Sequence, residues 1–129
     1  MADARILLDA SAFLALILEE PGADTVAAVL DGAVIGAVNL VEAMEVAIRR
    51  GVPRSRAAAW TAELGMPVLP FDAACAAEAA VLLAAFRREG LSLGDCACLG
   101  TARALSLPVL TADRAWAGLD LGVAARLIR

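Results

Sequence analysis

Short apolar runs alternate with longer helical stretches along this chain. The apolar runs predict five strands, at residues 5–8, 33–38, 68–69, 109–110 and 123–128. Helical periodicity predicts helices at residues 11–19, 23–30, 40–50, 55–64, 73–88 and 94–105, with Gly51 and Gly65 as stop signals. Strands separated by helices are typical of βαβ units with right-handed crossovers. The pattern therefore predicts an α/β fold with a parallel sheet.

The length of 129 residues fits one domain, and we assign residues 1–129 to it. Hydrophobic residues make up 61% of the chain, and much of that share is alanine, a strong helix former. Acidic residues interrupt every long apolar run before it reaches the ~18 residues of a membrane span. No basic segment followed by an apolar run marks a secretion signal. We therefore expect a cytoplasmic protein without membrane segments.

The chain has three cysteines, Cys75, Cys96 and Cys98. This small and odd number argues against a disulfide framework. A zinc site built on Cys96 and Cys98 lacks further ligands, because the chain has no histidine. We expect the three thiols to be small buried residues on helices.

The chain also lacks lysine, since all of its 11 basic residues are arginine. Without histidine, a Ser-His-Asp triad is excluded. Without lysine, a Schiff base, a P-loop and the lysine of a phosphoacceptor receiver domain are excluded. Acid chemistry in this protein must therefore use carboxylates, hydroxyls, arginine or water on a metal ion.

Four carboxylates fall where a parallel sheet would bring them together. Asp9 and Asp113 each follow a predicted strand, and Glu42 and Asp95 lie early in predicted helices. Ligands of open α/β sheets bind at the carboxyl ends of strands, and hard cations such as Mg²⁺ prefer carboxylate oxygens. The net charge of −4 equals the charge of these four acids, so the rest of the chain sums to −4 + 4 = 0. An acidic net charge therefore does not exclude a phosphate substrate.

Each of these acids has a simpler interpretation when it is considered alone. Asp9 is a candidate helix N-cap, as is Ser11 beside it. Asn39 and Glu42 resemble a capping box, as do Ser92 and Asp95. Asp113 is compatible with a turn. Glu45, one turn beyond Glu42, is a candidate for a further site acid, and a solvated helix face is its simpler interpretation. Capping does not, however, require two strand-end aspartates together with two acids at helix starts, so the joint placement favours a metal site.

The order of these motifs resembles the PIN-domain nucleases, in particular the VapC-type ribonuclease toxins of toxin–antitoxin pairs. The matching stretches are LLDASAFLALILEEPGAD, AVNLVEAMEVAIRRG and LSLGDCACLGTARALSLPVLTADRAW, which together span nearly the whole chain. The resemblance implies a single PIN-like domain with a five-stranded parallel sheet in the order 3-2-1-4-5, flanked by helices. In that order the first and fourth strands are neighbours, as the acids at their ends require.

The same resemblance implies a metal-dependent endoribonuclease that binds one or two Mg²⁺ or Mn²⁺ ions. We expect Asp9 and Asp95 to bind the metal directly, and Glu42 and Asp113 to bind it directly or through water. Further expected site residues are the polar supporting side chains Ser11, Asn39 and Thr111, and Arg114 as a phosphate contact or a surface residue. The implied partners are an RNA substrate, a cognate antitoxin protein and a second copy of the chain in a homodimer.

Apolar residues of the first two helices are candidates for the antitoxin surface. An exposed groove there would suit an amphipathic helix followed by a basic side chain. The alternative is that all of them belong to the core: Phe13, Leu14, Ile17, Leu18, Val26, Val29 and Leu30.

Three other functions remain as alternatives. A receiver-like signalling domain also carries acids at strand ends, but it needs the missing lysine. A haloacid-dehalogenase-type phosphatase needs an aspartate at the position of Ser11. A non-catalytic PIN-like binding module is disfavoured because all four acids are present.

Overall fold

A five-stranded parallel sheet forms the centre of the fold in this computed structural model, which describes residues 5–129. The part of the predicted 1–129 domain before Arg5 lies outside the described residues. The strands are β1 (Ile6–Leu8), β2 (Ala33–Gly36), β3 (Val68–Leu69), β4 (Val109–Thr111) and β5 (Ala125–Leu127). Their order is β3-β2-β1-β4-β5, with every neighbouring pair parallel. The predicted fold class and strand order are confirmed.

Six α-helices connect the strands and cover both faces of the sheet. They are α1 (Ala10–Ile17), α2 (Ala23–Ala27), α3 (Ala37–Arg49), α4 (Arg54–Leu64), α5 (Ala73–Phe86) and α6 (Leu93–Leu105). Short 3-10 turns cover Leu30–Gly32, Arg87–Glu89 and Arg114–Gly118. Among residues 5–129, no helix is long and apolar enough to cross a membrane.

The alternation of side chains along each strand divides the core into two layers. Ile6 and Leu8 of β1 point towards α1, α3 and α4, where they pack with Phe13 and Trp60. Leu7 points to the other face and packs with residues of α5 and α6. Because both faces are covered, β1 is apolar at every position, as expected for a central parallel strand. Its carboxyl end is consequently fixed from both sides.

The start of α3 differs from the prediction. The strand expected at residues 33–38 ends at Gly36, and the helix expected at residue 40 begins at Ala37. Asn39 therefore lies inside the helix, and the prediction that Asn39 is the helix cap is wrong. Its side-chain amide is instead engaged with Glu42 and with a distant helix. The fifth strand is also shorter than the predicted range of 123–128.

The candidate antitoxin groove on the first two helices is largely core. Phe13, Leu14 and Val26 are buried, so for these three residues the core alternative is correct. The other four are half-buried and pack against the same layer: Ile17, Leu18, Val29 and Leu30.

Candidate functional site

The carboxyl ends of β1 and β4 bring two of the predicted acids to one edge of the sheet. Leu8 pairs with Leu110 in the register of these strands. Asp9 follows β1 directly, and Asp113 lies two residues beyond Thr111, the last residue of β4. The prediction that both acids follow neighbouring parallel strands is confirmed.

Asp9 is a buried carboxylate with hydrogen-bond donors on both oxygens. Its side chain is only 6% exposed. The Ser11 hydroxyl and the Ala12 backbone N–H donate to Oδ1 at 2.7 and 2.8 Å. The Thr111 hydroxyl donates to Oδ2 at 2.6 Å. A carboxylate accepts at about four lone-pair positions, so Asp9 keeps capacity on Oδ2 for one further partner.

The two hydroxyls beside Asp9 also fix the chain that leads to Asp113. Ser11 Oγ accepts from the Ala112 backbone N–H at 2.9 Å, and Thr111 Oγ1 accepts from the Asp113 N–H at 3.0 Å. Asp113 is therefore positioned by the same two side chains that donate hydrogen bonds to Asp9. Both hydroxyls were expected to support the site, and the structure places them in contact with Asp9.

Glu42 reaches the start of α6 from the first half of α3. Asn39, 2% exposed, donates from Nδ2 to Glu42 Oε1 at 2.8 Å and to the Gly94 carbonyl oxygen at 3.1 Å. The Glu42 carboxyl lies directly against the Cα position of Gly94. Asp95 is the next residue of α6, and its charge acts on Glu42.

Electrostatics show that three of the acids form a group. Burial raises the pKa of Asp9, and the negative charge of Asp95 raises it further, against hydrogen bonds that lower it. The pKa of Glu42 is also raised, by burial first and then by the charges of Asp95 and Asp9. Burial raises the pKa of the Cys98 thiol well above its ordinary value, and the same three carboxylates add to this effect. The negative charges of Asp9, Glu42 and Asp95 therefore repel one another at the carboxyl edge of the sheet.

Three of the acids also cap helices, so the simpler interpretation of each is correct as far as it goes. Asp9 caps α1, and Asp113 caps the following 3-10 turn through Ala115 N–H. Ser92 and Asp95 form a capping box at α6, with Asp95 Oδ2 accepting from Ser92 N–H. These caps engage Oδ2 of Asp95 and Oδ1 of Asp113, and leave the other oxygen of each carboxylate for a ligand.

Two other predictions concern the rim of the site. Arg114 is exposed and begins the 3-10 turn directly after Asp113. Glu45 is exposed and pairs with Arg49 one turn along α3, so it lies on the solvated face. Sequence reasoning missed the contact between Glu42 and Gly94, because it depends on packing between α3 and α6 and leaves no local signal.

The three cysteines contribute no candidate ligand. Cys75, Cys96 and Cys98 are buried and free, as predicted. No group of three or more acidic, histidine or cysteine side chains within residues 5–129 is arranged to hold a metal ion as it stands. Mg²⁺ is commonly bound by only one or two carboxylates and otherwise by water and substrate phosphate. Asp9 and Asp95, with all-oxygen donors and mutual repulsion, fit such a cation.

Comparison with known proteins identifies the family of the whole fold. A family model described as PIN domain matches residues 6–121. Curated protein sequences give no match to this chain.

Several solved structures share the architecture over almost the full length of both chains. VapBC from Salmonella typhimurium, bound to DNA, has a TM-score of 0.77 at 19% identity and covers 97% of this chain and 98% of that chain. VapBC2 from Rickettsia felis, bound to a promoter DNA fragment, has a TM-score of 0.74 at 12% identity, with coverage of 95% and 97%. VapBC-5 from Mycobacterium tuberculosis, a member of the VapBC family of toxin–antitoxin systems, has a TM-score of 0.67 at 25% identity and covers 98% of each chain.

Proposed function

This chain belongs to the PIN domain family, and from that premise we propose that it is a metal-dependent endoribonuclease acting as the toxin of a toxin–antitoxin pair. The reaction is hydrolysis of RNA phosphodiester bonds. The observation that carries the proposal is the grouping of Asp9, Glu42 and Asp95 at one edge of the sheet, where the charge of Asp95 adds to burial in raising the pKa of Asp9 and of Glu42. A fold that keeps such repulsion suits a site that binds a cation.

Each acid has a distinct part in the proposed reaction. Asp9 and Asp95 bind Mg²⁺ or Mn²⁺ directly, whereas Glu42 and Asp113 bind it directly or through water. A bound divalent cation supplies Lewis acidity towards the phosphate and lowers the pKa of a water nucleophile. That chemistry matters here because the chain has no histidine or lysine to act as a general base near neutral pH.

The supporting residues hold these acids in place. Ser11 and Thr111 donate to the two oxygens of Asp9, and Asn39 donates to Glu42. Arg114 lies exposed beside Asp113, where its guanidinium can contact an RNA phosphate. Side chains that orient a metal ligand typically affect metal affinity or activity by roughly 10- to 100-fold.

The decisive experiment measures RNA cleavage by the purified chain with Mg²⁺, with EDTA, and after Mn²⁺ is restored. We expect cleavage only with a divalent cation, and products with 5′-phosphate and 3′-hydroxyl ends. Asp9→Asn should abolish cleavage. Asp31→Asn, at an exposed acid in the 3-10 turn before β2, is the matched control and should cleave normally. Cleavage in EDTA with 2′,3′-cyclic phosphate ends would refute the mechanism, and metal-independent RNA binding without cleavage would favour the non-catalytic module.

The proposed partner of this chain is a cognate antitoxin protein that is produced together with it in the cytoplasm. The structural neighbours in VapBC complexes support such a partner. We expect expression of this chain alone to slow growth, and the Asp9→Asn form not to do so. Co-expression with the small open reading frame beside its gene should give a complex on a tag carried by one partner. Normal growth without that frame, together with no complex, contradicts the toxin assignment and leaves the nuclease assignment intact.

A homodimer is the proposed free form of the protein. The exposed face of α3 supports it, because Val41 and Ile48 are 65% and 42% exposed and lie on the same side as Met44. Light scattering should give twice the monomer mass, and Val41→Glu should shift the protein towards the monomer mass. A monomer mass for the unmodified chain at micromolar concentration contradicts this assignment.

A further inference from the structure

Gly94 occupies the second position of α6 and contacts a side chain from a different helix. A Cβ atom built on Gly94 would lie 2.7 Å from Glu42 Oε1 and closer still to Oε2 and Cδ of the same carboxyl group. Its three nearest neighbours therefore all belong to Glu42. The backbone of Gly94 is in no left-handed conformation, so the turn does not require glycine. Instead, the absence of a side chain on Gly94 leaves room for the Glu42 carboxylate.

Asn39 bridges Glu42 and Gly94 through hydrogen bonds. Its Nδ2 atom donates to Glu42 Oε1 and to the Gly94 carbonyl oxygen, and its side chain is buried. The Glu42 carboxylate is thus drawn towards the first turn of α6 by one hydrogen-bonded bridge. A side chain at position 94 would occupy the space in which this bridge holds the Glu42 carboxylate.

We propose that Gly94 is a positioning residue: it leaves the space in which the Glu42 carboxylate lies against the first turn of α6, and any larger residue displaces that carboxylate from the site. The importance of this displacement for cleavage rests on the proposed nuclease function. The geometric claim does not, since it concerns only where the carboxylate lies.

The substitution Gly94→Ala is informative because the atoms it displaces are movable. The carboxyl group is the far end of a flexible side chain, and it can rotate away without a shift of the backbone. Alanine is also a better helix former than glycine. The melting temperature of Gly94→Ala should therefore equal or exceed that of the unmodified chain.

The test compares Gly94→Ala, Glu42→Ala and the double variant in the full chain. The side-chain amide signal of Asn39 in a ¹H–¹⁵N spectrum reports the position of the carboxylate without reference to activity. We expect Gly94→Ala to move that signal towards its position in Glu42→Ala. Mn²⁺ binding, measured by electron paramagnetic resonance, should weaken by roughly 10- to 100-fold. In the Glu42→Ala background, Gly94→Ala should change neither quantity.

Gly118→Ala is the matched control, because a Cβ atom there meets no atom within 4 Å. It should leave the Asn39 signal, Mn²⁺ binding and cleavage unchanged. An unmoved Asn39 signal with normal Mn²⁺ affinity in Gly94→Ala overturns the proposal, as does an equal loss of Mn²⁺ affinity in the Glu42→Ala background.

Two further outcomes separate the possible failures. If Gly94→Ala unfolds, the double variant with Glu42→Ala should fold again, and its failure to do so counts against the carboxylate as the displaced group. If the Asn39 signal moves but the unmodified chain cleaves no RNA, the positioning role stands and the nuclease proposal fails.

Discussion

The Thr111 hydroxyl donates to Asp9 Oδ2 across 2.6 Å and so connects the ends of two neighbouring strands. The bond joins residues 102 positions apart in the chain. Both residues are buried, at 1% and 6% exposed. Because the acceptor is a buried carboxylate, the bond stabilises its ionised form and thereby lowers a pKa that burial raises. The Thr111 hydroxyl thus links the pairing of β1 and β4 to the ionisation of Asp9.

Replacement of Thr111 by valine should destabilise the protein most where Asp9 is ionised. Loss of a hydrogen bond to a buried charged group costs about 1–3 kcal/mol. The folded-state pKa of Asp9 should rise further. The cost should be largest well above that pKa and should shrink as the pH falls towards the ordinary value of 3.8. Urea unfolding of both proteins at several pH values measures the difference.

Thr101→Val is the matched control for that experiment. Thr101 is also buried at 2% exposed, but its hydroxyl donates to the Ala97 carbonyl within α6. No carboxylate takes part, so its cost should not depend on pH. Equal pH dependence in the two variants would show that the Thr111 bond does not stabilise the Asp9 charge.

Asp9→Asn should flatten the pH dependence of stability in the metal-free protein. The folded-state pKa of Asp9 is raised above 3.8, so the folded state holds more protons than the unfolded state between those two values. Stability is therefore full below 3.8 and falls as the pH rises through the raised pKa. Asparagine has no such proton, and its Oδ1 can still accept from Ala12 N–H as the cap of α1. Thermal melts in EDTA from pH 4 to 8 should fall less steeply for the variant, and parallel curves would contradict this.

Much of the fold could be predicted from sequence, and so could the position of Asp9 and Asp113 at the ends of neighbouring strands. Apolar runs that end in Asp9 and just before Asp113 mark parallel strand ends, and parallel strands share one carboxyl edge. The predictions failed where tertiary packing decides. Asn39 resembles a helix cap, yet it donates to a group 55 positions away. For Phe13 and Val26 the pattern left a surface groove and the core both open, and packing places them in the core.

Gly100→Ala should destabilise the contact between α5 and α6. A Cβ atom at Gly100 would lie 2.5 Å from the Ala79 backbone nitrogen and 2.8 Å from its Cβ. These atoms belong to a packed helix and cannot rotate away, so overpacking should cost about 1–3 kcal/mol. Chemical denaturation should show this loss in Gly100→Ala, whereas Gly118→Ala should be close to neutral. A stable Gly100→Ala protein would mean that the two helices separate without cost.

The capping box of α6 allows the two roles of Asp95 to be separated. Ser92→Ala removes the hydroxyl that accepts from Asp95 N–H and keeps the charge of Asp95. Loss of this cap should lower the free energy of unfolding by about 1 kcal/mol. Asp95→Asn does the reverse, because its Oδ1 can still accept from Ser92 N–H while the charge is gone. Relief of repulsion with Asp9 and Glu42 opposes the lost interaction with the helix dipole, which contributes about 0.3–1 kcal/mol.

The response to metal should distinguish these two variants clearly. A cation that binds only the folded state stabilises it by about 2.7 kcal/mol at a concentration 100 times its dissociation constant. We expect Ser92→Ala to gain stability from Mg²⁺ or Mn²⁺ as the unmodified chain does, and Asp95→Asn to gain little. Thermal melts of the three proteins in EDTA and across a Mn²⁺ titration measure this. If Asp95→Asn loses as much stability as Ser92→Ala in EDTA and still responds fully to Mn²⁺, then Asp95 is a helix cap and not a metal ligand.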